Sequence, residues 1–132
     1  MTTPTLTVGK GWLQIDLTGV TATTGGAIAS VANPEGCTLI PVQSVLYITT
    51  ASTGAANISI GIGATATTSA TDIINALAIN GVSVPLAYNG QVLDAKTALP
   101  AVWTTTTYLT VTGSADSSGF VGKLFVQYIR AD

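Results

Sequence analysis

The sequence predicts an all-β fold, a β-sandwich of jelly-roll or Greek-key type with one short helix. Runs in which apolar and polar side chains alternate recur along the chain, the signature of strands with one buried face. These runs are separated by Gly, Pro, Asn and Ser turn material rather than by crossover helices, which disfavours a parallel sheet. No repeat recurs at a fixed period, which disfavours a solenoid or propeller.

Residues 1–10, MTTPTLTVGK, alternate small and polar side chains around Pro4 and read as an extended arm without a core of its own. Residues 11–132 read as a single β-sandwich domain. In GWLQIDLTGV, Leu13, Ile15 and Leu17 share one face while Gln14, Asp16 and Thr18 share the other. Gly25 and Gly26 precede a short strand, AIASVA, which ends in the turn residues Asn33 to Gly36. The run TLIPVQSVLYITT is β-branched and aromatic, a strand interrupted or bent at Pro41, and Val45 and Tyr47 alternating with Leu46 and Ile48 suggest burial on both faces. NISIGIG sets Ile58, Ile60 and Ile62 on one side. Gly61 and Gly63 fall on the other, where a bulky side chain would obstruct a close neighbour.

The segment SATDIINALAING breaks the β pattern. Ser69 and Asp72 form a capping start, Ile73 and Leu77 recur at helical spacing, and Gly81 is placed to end a helix over roughly Asp72 to Ile79. Asn89-Gly90 between two apolar runs is a hairpin-turn signal. In AVWTTTTYLTVTG, Leu109 and Val111 alternate with Tyr108, Thr110 and Thr112. In the closing FVGKLFVQYIR, Leu124, Val126 and Tyr128 oppose Lys123, Phe125 and Gln127.

Composition narrows the function classes. Four basic and six acidic residues leave no basic stripe for phosphate contacts, so neither nucleic-acid binding nor attraction to an anionic membrane surface is expected. No stretch approaches the roughly 20 apolar residues of a membrane span. The first residues carry neither the basic start nor the apolar stretch of a signal peptide, so synthesis and release in the cytoplasm of the producing cell is the expectation. Charged residues make up 8% of the chain against an average of about 25%, which fits a surface covered by neighbours or rich in hydroxyls and amides, as in a permanent assembly.

Catalytic chemistry is poorly provided for. The chain has no histidine to activate Ser30, Ser44, Ser59 or a threonine as nucleophile, and the sole cysteine, Cys37, reads as a buried thiol. IGIGATATT lacks the lysine and the immediate helix of a phosphate loop. Asp72, Asp94 and Asp116 are isolated and read as capping or turn residues rather than metal ligands, and Asp94 with Lys96 reads as a surface ion pair. No enzyme activity, cofactor or metal is expected. Trp12, Tyr47, Tyr88, Trp103, Tyr108 and Tyr128 read chiefly as core and interface anchors, with a sugar-stacking platform as the other reading.

Three segments carry a resemblance: GKGWLQIDLTGVTATTGGAIASVANPEG, LYITTASTGAANISIGIG with SATDIINALA, and VWTTTTYLTVTGSADSSGFVGKLFVQYIR. Together they resemble small structural proteins of tailed bacteriophages, of the decoration or cement type. The resemblance rests on the style and order of segments, so no family site residue carries over. It implies a β-rich, often trimeric protein bound to the outside of the head lattice. The expected function is a capsid decoration protein that binds the major capsid protein on the virion and stabilises the head. The other readings are a head-fibre or tail component, or a carbohydrate-binding β-sandwich on the virion surface. A homotrimer is expected, because cyclic symmetry lets apolar strand faces be covered in every copy. Thr2, Thr3, Thr5 and Thr7 can hydrogen-bond along an extended path, and with Lys10 they form the expected capsid contact.

Overall fold

The computed structural model describes residues 6–9, 11–21, 26–90 and 101–131. Among the described residues nine strands form: β1 (Leu6–Gly9), β2 (Trp12–Thr18), β3 (Gly26–Ala32), β4 (Leu39–Thr50), β5 (Asn57–Gly63), β6 (Ile74–Ala78), β7 (Leu86–Gly90), β8 (Tyr108–Gly113) and β9 (Val121–Arg130). A five-stranded sheet, ordered β1-β2-β9-β4-β7, packs against a four-stranded sheet, ordered β3-β8-β5-β6. Every pair of neighbouring strands is antiparallel. From β2 to β9 the chain changes sheet at each connection except β5 to β6. This is the jelly-roll topology of two nested Greek keys, with β1 added to the edge beside β2.

The alternation read from the sequence sets the core. Leu13, Ile15 and Leu17 of β2, Leu46 and Ile48 of β4, and Leu124 and Val126 of β9 point inward from one sheet. Ile58 and Ile60 of β5 and Leu109 and Val111 of β8 meet them from the other, all essentially without exposure. Burying each of these side chains contributes about 1.5–3 kcal/mol, so the period-two pattern is the main source of stability. The bend expected at Pro41 is a bulge: the β4–β9 register shifts between Pro41 and Gln43, and the strand continues on both sides of it.

Three expectations are corrected. No helix forms over Asp72 to Ile79. That segment supplies β6, paired with β5 through Asn57–Ala78, Ile58–Leu77 and Ile60–Ile74. The capping pattern and the Ile73–Leu77 spacing are local preferences, and the open edge of β5 outweighs them by offering backbone partners and a core contact. Ile73 donates its backbone N–H to the Ile60 carbonyl at 3.0 Å, and Ile73 and Ile74 are both buried because the strand is irregular. The irregularity is concentrated at Ala76, whose φ of 55° is left-handed. A Cβ in that region costs about 1–2 kcal/mol. Ala76→Gly is therefore expected to raise stability by roughly 1 kcal/mol in urea unfolding, and a loss of stability would show that the backbone is not strained there.

The second correction concerns Asn89-Gly90, which makes no turn. Both residues belong to β7, opposite Val45 and Ser44 of β4, because the edge of the five-stranded sheet extends the pairing through them. Residues 91–100, which include the other half of the expected hairpin, lie outside the described residues. The third is the arm boundary. Leu6–Gly9 pairs with β2 as β1, so this part of the arm is an edge strand of the sandwich.

Candidate binding face

The two outer faces of the sandwich are treated differently by the chain. On the four-stranded sheet, the segment from Thr68 to Asp72 lies directly over β5 and β8. A Cβ added to Gly61 would sit 2.8 Å from Ala70 and from the Asp72 backbone nitrogen, and one added to Gly63 would sit 2.8 Å from Thr68. The close approach read from these glycines is thus the chain's own covering segment. Beneath it Thr110 and Thr112 are buried, with the hydroxyls of Ser69 and Thr112 3.0 Å apart.

No such segment, among the described residues, is hydrogen-bonded across the outer face of the five-stranded sheet. Strand register arranges its residues in rows running across the strands. One row reads Gly9, Trp12, Gln127, Gln43, and the next reads Thr7, Gln14, Phe125, Val45, Asn89. A third reads Asp16, Lys123, Tyr47, Ala87. The face's opposite charges are paired with each other in this third row, where Lys123 Nζ lies 2.7 Å from Asp16 Oδ1. The Lys123 hydrogen bond, assisted by Gln14, holds the Asp16 carboxyl below the usual aspartate range.

At one end of the face Ile129 pairs with Ile40, and the antiparallel bridge between Leu39 and Trp103 sets Val102 beside Ile40. Val42 stands at the neighbouring bulge. Ile129 is 53% exposed, Val102 52% and Val42 43%, and with the half-buried Ile40 they form an end patch of four β-branched side chains. Between the Trp12 row and the Phe125 row runs a groove of about 380 Å³. Its walls are Trp12, Gln43, Val45, Phe125 and Gln127. Its floor is strand backbone at Leu13, Ser44 and Val126, whose side chains face the core.

The residues singled out in the sequence fall as follows. Thr7 lies in β1 opposite Gln14, in the Phe125 row. Thr2, Thr3, Thr5 and Lys10 lie outside the described residues, as do Asp94 and Lys96. The six aromatics do not form one platform. Trp103 and Tyr128 are buried, and Trp12 and Tyr88 are exposed. The Tyr128 hydroxyl donates to Glu35 Oε2 at 2.6 Å, and burial together with that carboxylate pushes its pKa upward. Cys37 is a buried thiol, with Arg130 Nε donating to its sulfur at 3.3 Å. Asp116 is a turn residue: its Oδ1 accepts from the Ser118 backbone at 2.9 Å and from the Ser118 hydroxyl, and these bonds lower its pKa. Ser59 accepts from the Ala76 backbone at 3.1 Å, and the Ser44 hydroxyl is buried. Among the described residues no three His, Cys, Asp or Glu side chains come together as a metal site.

The sequence reading missed Gln43, Val45 and Phe125 as members of one surface. Alternation places Phe125 on the outward side of its strand, but it does not say which strands are neighbours. Comparison of the chain with protein-family models, curated proteins and solved structures finds no match. The binding face is therefore read from its own geometry.

Proposed function

We propose that this chain is a non-catalytic virion protein of a tailed phage, a decoration protein that attaches to the major capsid lattice by the end patch of its five-stranded sheet. The observation that supports this reading is the row Ile129, Ile40 and Val102 with Val42 beside it. Ile129, Val102 and Val42 stand exposed beside the half-buried Ile40, and apolar surface presented in this way is stabilised when a partner covers it. Because the patch occupies one end of the sheet's outer face, docking through it leaves the rest of the sandwich clear of the contact. A lattice offers the same contact at every repeat, so a modest contact per copy suffices, and assembly as a trimer would multiply it through avidity.

The test is co-sedimentation with heads that lack the protein. Ile129→Lys and Val102→Lys each put a charge that must be desolvated into the contact, and binding is expected to fall by about tenfold or more. Ala78→Lys, on exposed β6, should bind as the parent does. Unchanged binding by the two patch variants would refute the attachment site. The arm is tested separately by deleting residues 2–5, a truncation that stops short of β1 and so preserves the edge strand.

A further inference from the structure

The groove beside the end patch has a chemistry of its own. Its walls carry two aromatic rings, the exposed Trp12 and the half-buried Phe125, and a half-buried aliphatic side chain, Val45. Gln43 and Gln127 complete the lining, both exposed, each able to donate and to accept hydrogen bonds. Among the described residues no charged side chain lines it. On this face the opposite charges of Asp16 and Lys123 neutralise each other one row beyond Phe125.

A ligand suited to these walls needs apolar faces for the rings, hydroxyls for the amides, and no net charge. Phosphorylated or carboxylated ligands meet no cation among the described lining residues, and a purely apolar ligand would leave the amides without partners. A pyranose meets all three requirements: its C–H face packs on an aromatic ring, while its rim of hydroxyls donates and accepts. The groove crosses three strands, β2, β9 and β4, at a spacing of about 4.8 Å, so a short chain of sugars can lie along it. From this we infer that the groove is a binding site for a neutral oligosaccharide, with Trp12 and Phe125 as stacking surfaces and Gln43 and Gln127 as hydrogen-bonding partners. This site is distinct from the end patch, and its test needs no capsid.

The two tryptophans make the measurement direct, because Trp12 is 43% exposed whereas Trp103 is fully buried. The purified full chain is titrated with neutral hexasaccharides of glucose, mannose, galactose and N-acetylglucosamine, and with hexagalacturonate as the charged comparison. Indole fluorescence and calorimetry are recorded together. At least one neutral hexasaccharide is expected to bind with a dissociation constant of about 1 mM or tighter and to shift the indole emission, while hexagalacturonate binds at least about tenfold more weakly. Trp12→Ala and Phe125→Ala should each weaken that binding by about tenfold or more, and Gln127→Ala by about fivefold, with Ala78→Lys unaffected. Circular dichroism matching the parent keeps these variants interpretable.

Absence of binding by every neutral hexasaccharide at 10 mM, on the order of ten times that expected constant, would overturn the inference. Binding that survives Trp12→Ala, or equal binding of hexagalacturonate, would overturn it too. A Trp12 emission shift seen only on adding undecorated heads would assign the groove to the capsid protein. A shift that follows protein concentration alone would assign it to a second copy of the chain. Either result would overturn the saccharide assignment without touching the end-patch test.

Discussion

Trp103→Ala is expected to lower the unfolding free energy by about 3–5 kcal/mol, the usual range for deleting a large buried aromatic side chain. The indole has no exposure and fills the end of the core where β4 begins. Its Nε1 donates to the Thr107 carbonyl at 3.1 Å, so the deletion also leaves that oxygen without its partner. The backbone at this residue is tied to Leu39 by two hydrogen bonds, of 2.8 and 2.9 Å, which limits how far the surroundings can collapse into the cavity. Small domains have about 5–15 kcal/mol of stability in all, so this one substitution consumes a large part of it. Urea unfolding followed by circular dichroism measures the loss. Trp103→Phe should retain more than half of the lost stability, and a loss below about 1.5 kcal/mol for the alanine variant would mean that the indole is not packed as described.

The second large effect is expected at Gly19, which follows β2. A Cβ there would lie 1.8 Å from the Ser117 carbonyl oxygen and 2.7 Å from its carbonyl carbon, distances that no side-chain rotation relieves because the obstruction is backbone. The strand end and the loop before β9 would have to separate. That would strain the hydrogen bonds from Gly19 N–H to the Phe120 carbonyl at 2.7 Å and from Ser117 N–H to the Val20 carbonyl at 3.0 Å. The bond from Val20 N–H to Ser117 Oγ at 2.9 Å would be strained with them. Overpacking costs about 1–3 kcal/mol and each lost hydrogen bond about 1 kcal/mol, so Gly19→Ala is expected to destabilise by about 3 kcal/mol or more. Gly54→Ala is the matched control, since a Cβ at Gly54 meets nothing within 4 Å. Equal unfolding midpoints for the two variants would contradict the close approach.

Gly19 also marks what sequence reading does not reach. Gly61 and Gly63 sit inside an alternating strand, where the missing side chains on one face imply a neighbour close above it. The covering segment at Thr68 to Asp72 is that neighbour. Gly19 stands at a strand end, where glycine is equally at home in an open turn, and only the fold brings Ser117 against it. The helix expected over Asp72 to Ile79 failed for a related reason. A capping residue and one repeat of helical spacing are weak local terms, and the partner that outweighs them, β5, becomes a neighbour through the sheet rather than through anything in the segment itself.

The binding face divides along the same line. Period-two alternation by itself determined which side of β2 and β9 is buried, because a one-residue slip would expose Leu13, Ile15, Leu124 and Val126 together, whereas β4 read as buried on both faces and only the sheet set Val45 and Tyr47 outward. It determined also that the surface is poor in charge, since ten charged residues cannot cover a chain of 132. Which outward residues stand side by side was decided by the tertiary structure alone. Trp12, Gln127 and Gln43 come from three strands far apart in the chain, and they form one row because β9 enters between β2 and β4 with a bulge at Pro41 setting its register. Periodicity is a property of each strand and is written locally. Strand order and register are set by the packing of all nine strands at once, and a groove made between rows exists only after that packing is settled.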